Sequence, residues 1–479
     1  MEQYGFEPFF PKQVVAEVGA LDEGRLLDEG RPGIRDYRTL LWSSIDNDDT
    51  MDLDQLEYCE RLPGGVINVK VAIADVDSCV PKTSLTDLHA AKNGTSVYTG
   101  VETFPMLPDR LSTNLTSLAA GRDRPAIVAE FGVHPDGSIS DGSVCRALVQ
   151  NKAKLVYETI GDWFEGKSGV PQSVMNTAGL EEQLRLQDEA ARRLRDFRME
   201  QGALELDTIE ARTVAHGGEV SDLVVVRKNQ ARYIIENFMI AANVTMMGFL
   251  EKAKVPAIQR IVRTPKNWEG IIEAAAAFNE TLPRQPSQKA LSQFLIRRKE
   301  ADPERFPDLS LAIVKLLGPG EYVMLEPGIK GLGHFGLAVA DYTHATAPNR
   351  RYVDLILQRL VKSVLDGKMS PYDRKELTDL SSWCTGRDKA SQKVERLMRK
   401  AAAAVLLAGR VGDSFDAIIT GSSNKGTYAR IISPPVEGRV IRGGEGAGVG
   451  RKVRVRLVNM DPQKGYIDFE MTAGQAKKR

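Results

Sequence analysis

The residues best suited to do chemistry are three aspartates crowded into one short segment. Asp46, Asp52 and Asp54 form a D-x5-D-x-D pattern within residues 44–55, SIDNDDTMDLDQ. Asp and Asn are poor helix and strand formers, so we expect this segment to be a loop between strands. Carboxylates held this close repel one another, and a divalent cation or solvent relieves the repulsion. Hard oxygen ligands of this kind suit Mg²⁺, with Mn²⁺ as an alternative, rather than zinc.

Taken alone, the aspartate pattern supports a metal site and a solvated acidic loop equally well. In the first case, two bound ions could clamp the attacking and leaving oxygens of a phosphodiester. A calcium loop of the EF-hand type is excluded, because Met51 and not glycine stands at the sixth position after the start at Asp46.

A second chemically suggestive segment is residues 343–355, THATAPNRRYVDL. We expect a helix to begin near Arg350, with Thr346 or Asn349 as its cap. Two arginines at a helix N-terminus oppose the helix macrodipole, so an anionic partner is expected there. Phosphate is one candidate, and pairing of both arginines with surface acids is the other.

The elements around these segments change in character along the chain. Residues 38–148 are strand-rich, and VINVKVAIADV (66–76) alternates like a strand. Helical periodicity dominates from 152 to 410, where 230–252 is apolar on most sides and therefore expected to be buried. From residue 414 onward, five short strands with small turns predict a barrel of the OB type. Further helices are predicted at 182–199, 307–317, 352–366, 373–384 and 387–409.

Composition excludes several classes of protein. The 479 residues carry 64 basic and 64 acidic side chains, which argues against a globally basic nucleic-acid coat or a polybasic membrane binder. No run of 18 apolar residues and no secretory signal pattern is present, so we expect no membrane association. The four cysteines lack C-x-x-C spacing, which fits a reducing cytoplasm.

The balanced total charge conceals an uneven distribution. Residues 1–100 hold 18 acids and 9 bases, whereas residues 410–479 hold 13 bases and 7 acids. The acidic and basic parts are therefore expected to do different jobs. The sequence GLGHFG (331–336) matches G-x-G-x-x-G, but no suitable strand precedes it, so we expect no nucleotide cofactor.

The two segments together resemble the catalytic RNB domain of the ribonuclease II and ribonuclease R family. That family reads T-I-D-x5-D-x-D-D-A at the first site and T-S-P-I-R-R-Y-x-D-L at the second. Between the two sites, the sequence keeps the family's order of motifs. These motifs are VAIADV (71–76), GTSVY (94–98), KAKLVY (152–157), IENFMIAAN (235–243) and HFGL (334–337).

The resemblance covers about residues 40–405 and implies an α+β fold. It implies a short N-terminal lead-in (1–38), an RNB catalytic domain with a mixed sheet core and surrounding helices (39–410), and an OB-fold RNA-binding domain (411–479). The implied activity is processive 3′→5′ hydrolysis of single-stranded RNA to 5′-nucleoside monophosphates with Mg²⁺. We expect a cytoplasmic monomer whose partner is single-stranded RNA.

Site residues are carried over from the family motifs position by position. Asp46, Asp52 and Asp54 would hold metal and orient the attacking water, and Arg350 would neutralise charge on the scissile phosphate. By residue type alone, core packing is the commoner role of a tyrosine. The other implied residues are Glu395 as a carboxylate near the RNA 3′ end, Tyr98 and Tyr157 as base-stacking rings, Glu236 with Tyr157 at ribose 2′-hydroxyls, and Arg351 as a phosphate contact or a structural residue.

The sequence departs from the family pattern beside the aspartates. Gln55 stands where the family usually has a fourth aspartate, and it offers a neutral carbonyl oxygen as a metal ligand. Losing one negative charge weakens a metal site. Two function classes therefore remain, an active exoribonuclease and a non-catalytic RNA-binding relative. Retention of the three aspartates and Arg350 favours the enzyme.

Overall fold

The computed structural model describes residues 1–26, 33–140, 142–207, 210–216, 219–329, 333–423, 426–448 and 450–472. Its helices are α1 (Lys12–Gly19), α2 (Glu23–Leu26), α3 (Leu85–Asn93), α4 (Tyr157–Phe164), α5 (Gln172–Met175), α6 (Leu180–Glu200), α7 (Gln230–Lys252), α8 (Trp268–Ala276), α9 (Gln288–Ala301), α10 (Phe306–Leu317), α11 (Tyr352–Leu365) and α12 (Arg374–Leu406). Its strands are β1 (Ile34–Asp36), β2 (Ser43–Asp46), β3 (Gln55–Arg61), β4 (Ile67–Ala74), β5 (Val97–Tyr98), β6 (Thr103–Phe104), β7 (Asp123–Val133), β8 (Ser143–Gln150), β9 (Ala153–Val156), β10 (Glu210–His216), β11 (Glu219–Val226), β12 (Ala257–Ile261), β13 (Glu321–Leu325), β14 (Ser414–Ser423), β15 (Gly426–Ile431), β16 (Glu437–Arg442), β17 (Lys452–Asp461) and β18 (Tyr466–Met471).

A seven-stranded mixed sheet forms the centre of the larger domain, with the strand order β1-β8-β7-β4-β3-β2-β9. β1 runs parallel to β8 and β2 parallel to β9, whereas the other neighbours are antiparallel. All eight residues of β4 (INVKVAIA) are buried, because strands flank it on both sides and α6 and α7 pack nearby. The α+β architecture predicted from the sequence is confirmed.

Helix α7 is the central helix of this domain, and its bounds are those predicted from its apolar character. It is long and apolar enough by composition to cross a membrane, but 67% of its most apolar window is buried inside the protein. A core helix has the same property. Several of its buried residues, including Phe238 and Met246, belong to the main hydrophobic core together with β4 and β7.

The C-terminal strands close into a five-stranded barrel in the order β14-β15-β16-β18-β17, with β17 pairing back onto β14. Alternate residues such as Val455 and Leu457 fill its interior. Ala403, Ala404 and Leu407, at and just beyond the end of α12, join the same core. The predicted OB-type barrel is therefore confirmed, and it is seated on the end of a helix from the larger domain.

Two local predictions are wrong. The helices expected at 373–384 and 387–409 are one continuous helix, α12, since Gly386 lowers helix propensity by only about 1 kcal/mol and packing through Cys384, Arg387 and Val394 outweighs it. The helix expected to begin near Arg350 does begin at Tyr352, but its N-cap is Arg351 and not the predicted Thr346 or Asn349. Of the G-x-G-x-x-G match, residues 331 and 332 lie outside the described residues, and the described residues 333–351 contain no helix.

Candidate active site

Strand register brings the acidic segment and Tyr157 to one edge of the sheet. Asp46 ends β2 and lies beside Val156, the last residue of the parallel strand β9. Tyr157 follows Val156 and opens α4. Residues 47–54 form the loop that leads back into β3, which begins at Gln55. The expected loop between strands is therefore present, with Asp46 at its beginning and Asp54 at its end.

Hydrogen bonds from a serine hydroxyl and from backbone groups hold the acidic loop in place. The Ser117 hydroxyl donates to the Met51 carbonyl (2.7 Å) and accepts from the Leu53 N–H (3.2 Å). Ala74, at the end of β4, donates its N–H to the Asp54 carbonyl (3.0 Å). These contacts fix the chain on both sides of Asp52, so the carboxylates are positioned before any ligand arrives.

Arg350 reaches this loop from about three hundred residues further along the chain. Its Nε lies 3.5 Å from Asp54 Oδ2, and the neighbouring Asn349 N–H donates to Asp54 Oδ1 (3.2 Å). The Arg350 carbonyl accepts from the Ser96 N–H (2.9 Å). The Arg350 side chain is 43% exposed, so the residue is held through its backbone while the side chain stays accessible.

Arg351 has a different role from its neighbour. Its guanidinium makes two hydrogen bonds to the fully buried Asp354, at 2.7 and 2.8 Å, and Asp354 also accepts from the Ala347 N–H (2.8 Å). Asp354 occupies the first turn of α11, where a carboxylate offsets the unfavourable arginine. The anionic partners of the two arginines are thus buried acids, Asp354 and Asp54, and not the surface acids considered above.

A cavity of about 330 Å³ joins these groups. Its wall includes Asp46, Asp52, Asp54, Gln55 and Arg350. The two segments that carry these residues also contribute Asn47, Thr50 and Thr346, and other parts of the chain contribute Tyr98, Tyr157, Arg232, Ile235 and Met239. Seven of the residues predicted from the sequence therefore surround one space, whereas Glu395, Glu236 and Arg351 do not form part of its described wall.

The pKa values of the three aspartates in the cavity are raised above the ordinary value. Burial raises the pKa of Asp54 to about 7, with Arg350 opposing the rise and Asp52 adding to it. Burial also raises the pKa of Asp46 and of Asp52. The Arg350 guanidinium does not offset the desolvation of three carboxylates, so the site favours an additional positive charge.

The donor set fits a hard divalent cation. Carboxylate oxygens of Asp46, Asp52 and Asp54 and the carbonyl oxygen of Gln55 are the available ligands, and all are of the kind that Mg²⁺ accepts. Gln55 Nε2 lies 3.4 Å from Asp46 Oδ2, where it donates a hydrogen bond. Across the described residues, no three acidic, histidine or cysteine side chains form a ready-made ligand cluster. An ion would thus be held by one or two carboxylates and retained water, the usual arrangement for Mg²⁺.

Both predicted tyrosines line the cavity. Tyr98 lies on β5 and is 42% exposed, and burial of its hydroxyl raises its pKa to about 12. Tyr157 carries the Arg232 guanidinium 4.2 Å from its ring centre. Both rings therefore border the space that a nucleotide beside the carboxylates would occupy, as base stacking requires.

Gly94 links Tyr98 to Arg350 through the backbone. It adopts a left-handed conformation (φ 71°), and a Cβ there would lie 2.7 Å from Arg387 side-chain atoms. Its carbonyl accepts from the Tyr352 N–H (3.0 Å). Segment 94–98 thus pairs with residues 350–352 and ends at Tyr98 in the cavity wall.

Glu395 and Glu236 lie outside the described wall of the cavity, and Glu395 contacts one residue of that wall. Glu395 Oε1, on α12, accepts from the Tyr98 N–H (3.3 Å) and from the Ser391 hydroxyl (2.9 Å). Glu236, on α7, pairs with Lys228 at 2.9 Å and is partly exposed.

Arg232 is a site residue that the sequence reasoning missed. It lies in the first turn of α7 and donates to Asn47 Oδ1 (3.0 Å) in the acidic loop and to Glu158 (2.9 Å). The macrodipole argument that singled out Arg350 applies here as well, because an arginine in a first helical turn also calls for an anion. The sequence therefore contained a signal that could have identified Arg232 as a site residue.

A second missed feature is the buried carboxyl of Glu57 behind the site. Neither of its oxygens has a hydrogen-bond partner among the described residues, and the same is true of the Ser43 hydroxyl and of Gln187 Oε1. Ser43 pairs directly opposite Glu57 across the strands. Burial raises the pKa of Glu57 well above its ordinary value, and Asp46 adds to the rise.

We expect Glu57→Leu to raise the free energy of unfolding by about 1–3 kcal/mol at pH 7, because an unsatisfied buried polar group is removed. Above about pH 4.5 the Glu57 carboxyl is ionised in the unfolded chain but not in the folded protein, so the free energy of unfolding of the wild type falls as pH rises. The difference in stability between Glu57→Leu and the wild type therefore increases with pH. Urea unfolding between pH 4 and 8 in EDTA measures this. Glu60→Leu on the same strand is the control and should not stabilise, since Glu60 has Lys70 and Asn68 as partners.

Comparison with known proteins identifies the class. Residues 34–367 match the RNB domain and residues 413–472 match the RNase II-type exonuclease C-terminal S1 domain. The chain therefore belongs to the RNB-domain family of ribonuclease II-type proteins.

Individual relatives are ribonucleases R. That of Thermotoga maritima is 27% identical over 96% of this chain and 68% of its own length. The apo form of Mycoplasma genitalium RNase R superposes with a TM-score of 0.86 at 21% identity, covering 98% of this chain and 77% of that one. Yeast Ssd1, described as a pseudonuclease, superposes at 0.67 with 17% identity, covering 88% and 51%. The chain spans between 59% and 69% of the length of the first curated ribonuclease R relatives.

Proposed function

We propose that this protein is a hydrolytic, Mg²⁺-dependent, processive 3′→5′ exoribonuclease that degrades single-stranded RNA to 5′-nucleoside monophosphates. The observation that carries the proposal is the convergence of Arg350 with Asp46, Asp52 and Asp54 in one cavity bordered by two tyrosines. Membership in a family of ribonucleases supports the same reading. We also propose that it acts as a monomer in the cytoplasm, in keeping with four unpaired, buried cysteines.

Each group in the cavity has a task in this reaction. Bound Mg²⁺, or Mn²⁺, would supply an activated water and charge stabilisation at the phosphate. Asp54 and its neighbours Asp46 and Asp52 would hold the metal and orient the attacking water. Arg350 donates hydrogen bonds to the phosphate oxygens as negative charge grows on them, and Asp54 keeps its guanidinium in place at 3.5 Å. The rings of Tyr98 and Tyr157 accept any base face, so binding is independent of sequence.

A second candidate is a non-catalytic RNA-binding relative. Gln55 favours it, because an amide that donates to Asp46 replaces a carboxylate that would attract metal. Likeness of fold to a pseudonuclease is compatible with this reading.

A 5′-labelled unstructured RNA incubated with Mg²⁺, with and without EDTA, separates the two candidates. The exoribonuclease yields a ladder that shortens from the 3′ end and is abolished by EDTA. Full-length RNA that stays bound in both samples would establish the second candidate.

Discrimination between RNA and DNA is expected to depend on Glu236. We expect Glu236→Ala to reduce the preference for RNA about 10-fold, because a group that accepts from a ribose 2′-hydroxyl distinguishes the two polymers. The measurement is the ratio of affinities for matched RNA and DNA pentamers in EDTA. Glu251→Ala, at the far end of the same helix, is the control, and an unchanged ratio in Glu236→Ala would remove this role.

A further inference from the structure

Arg232 contacts three segments around the active-site cavity with a single side chain. Its guanidinium carbon lies over the Tyr157 ring, 4.2 Å from the ring centre. One of its terminal nitrogens, Nη2, donates to Asn47 Oδ1 in the acidic loop at 3.0 Å and to Glu158 Oε1 on α4 at 2.9 Å. The first turn of α7, the acidic loop and the start of α4 therefore meet at this guanidinium.

The backbone of Arg232 is tied to the same ring. Asn229 caps α7: its Oδ1 accepts from the Arg232 N–H at 3.0 Å, and its Nδ2 donates to the Tyr157 carbonyl at 2.7 Å. A Cβ at Gly161 would lie 2.2 Å from this Asn229 nitrogen, so a larger residue there would displace the cap. The ring and the guanidinium over it are thus carried by backbones that one asparagine side chain joins.

Folding stability alone is a poor explanation of this arrangement. The Nε of Arg232 is buried and has no hydrogen-bond partner among the described residues, and a buried donor without a partner costs stability. Its ion pair with Glu158 is of the kind that stabilises little, since Glu158 is 57% exposed. The position of Arg232 in the wall of the cavity points instead to a role in the reaction.

The contact with the acidic loop leads to one of the proposed metal ligands. Asn47 directly follows Asp46, and its N–H donates to Asp46 Oδ1 at 3.1 Å. Arg232 therefore holds the residue that orients this carboxylate. At its other contact, the guanidinium covers one face of the Tyr157 ring, so a base can stack only on the opposite face.

We infer that Arg232 is a positioning residue that couples the seating of the 3′-terminal base on Tyr157 to the orientation of Asp46. This inference rests on the proposed function. The ring, the guanidinium and Asn47 form one series of contacts, so a base stacked on the ring stabilises the arrangement in which Asn47 holds Asp46. By linkage, a strand with its terminal base tightens the binding of a divalent cation, and a strand that lacks this base does not.

The first measurement is metal binding, which does not depend on cleavage. The Mn²⁺ affinity of the protein is followed by electron paramagnetic resonance of the free ion, in the presence of one of two uridine pentamers. Both pentamers carry a non-hydrolysable phosphonate in place of the last phosphodiester, and one of them ends in an abasic ribose. In the wild type we expect the pentamer with a terminal base to give an Mn²⁺ affinity about 10-fold higher than the abasic one does.

Arg232→Met should reduce this difference to less than about 2-fold. Methionine keeps most of the length of the side chain over the ring, but it donates no hydrogen bond to Asn47. Asn47→Ala breaks the same link from its other end and should also remove the difference. This second variant keeps the test decisive if Arg232→Met does not fold.

Two control variants should keep the difference. Glu158→Ala removes the exposed ion pair of Arg232 and leaves its contact with the acidic loop in place. Arg185→Met is the matched control, because Arg185 also lies over a ring of α4, 5.1 Å from the centre of Trp163, but outside the described wall of the cavity.

Cleavage gives the second measurement. With hydrolysable pentamers and Mg²⁺ under single-turnover conditions, the wild type should cleave the complete strand about 10-fold faster than the abasic one, and Arg232→Met should cleave both at the slower rate.

A base-dependent Mn²⁺ affinity that survives in Arg232→Met or Asn47→Ala would overturn the inference, as would its absence from the wild type or its loss in either control. Failure of the proposed function has another signature, in which the wild type shows the base-dependent Mn²⁺ affinity but cleaves neither pentamer.

Discussion

Asp54→Asn should reduce RNA cleavage by roughly 10³-fold or more, equivalent to about 4 kcal/mol of transition-state stabilisation. Asparagine has the shape of aspartate but no charge, so it weakens the metal site and releases the partner of Arg350 at 3.5 Å. Binding of RNA in EDTA should be nearly unchanged, because Asp54 is only 3% exposed. Single-turnover cleavage and fluorescence anisotropy measure the two effects separately.

The same variant should be more stable than the wild type in the absence of metal. The pKa of Asp54 is about 7 in the folded protein, raised mainly by burial from an ordinary 3.8. Between about pH 4 and 7 the Asp54 carboxyl is ionised in the unfolded chain but still protonated in the folded protein, so the stability of the wild type falls as pH rises through this range. Asparagine does not ionise, so the variant has no such loss. Urea unfolding at pH 5 and 8 in EDTA tests this. Wild-type cleavage, or a variant less stable at pH 8, would contradict the assignment.

Arg350→Ala should lower kcat by about 10²–10³-fold with little change in the free energy of unfolding. The side chain is 43% exposed and its ion pair with Asp54 is long, at 3.5 Å. After its removal the buried Asp54 still accepts a hydrogen bond from the Asn349 N–H at 3.2 Å. The affinity for RNA should fall much less than the rate, since the guanidinium acts where charge develops during cleavage. Parallel measurement of kcat, KM and urea unfolding makes this distinction.

The neighbouring arginine provides the control with the opposite signature. Arg351→Ala removes two hydrogen bonds from the fully buried Asp354, and breaking a buried ion pair typically costs about 3–5 kcal/mol of stability. Its dominant effect should be on folding, with kcat close to wild type at low temperature. If Arg350→Ala unfolds the protein while Arg351→Ala slows only cleavage, the two roles have been exchanged.

The sequence was informative where a local pattern decides the structure. Asp46, Asp52 and Asp54 lie on the predicted loop, α7 has the predicted bounds, and five short strands form the barrel, because propensity and periodicity act over neighbouring residues. That Arg350 meets Asp54 followed from a family resemblance and not from spacing, since no local rule relates residues three hundred positions apart.

What could not be predicted depends on contacts between distant segments. Arg351 and Arg350 look equivalent in the sequence, and only the burial of Asp354 separates them. Glu57 reads as an ordinary polar residue on a strand, and its lack of partners follows from the way the helices cover that strand. The single helix α12 was predicted as two, because the packing of Cys384, Arg387 and Val394 that holds it together is not visible in the sequence.

The unbroken course of α12 has a geometric consequence for how the two domains can evolve. The helix contacts Tyr98 through Glu395 and supplies Ala403 and Ala404 to the barrel core. Every residue of an α-helix advances its phase by about 100°. A single insertion between those positions would swing the barrel about a third of a turn relative to the catalytic edge, so this stretch should tolerate substitutions in sequence far more readily than changes in length.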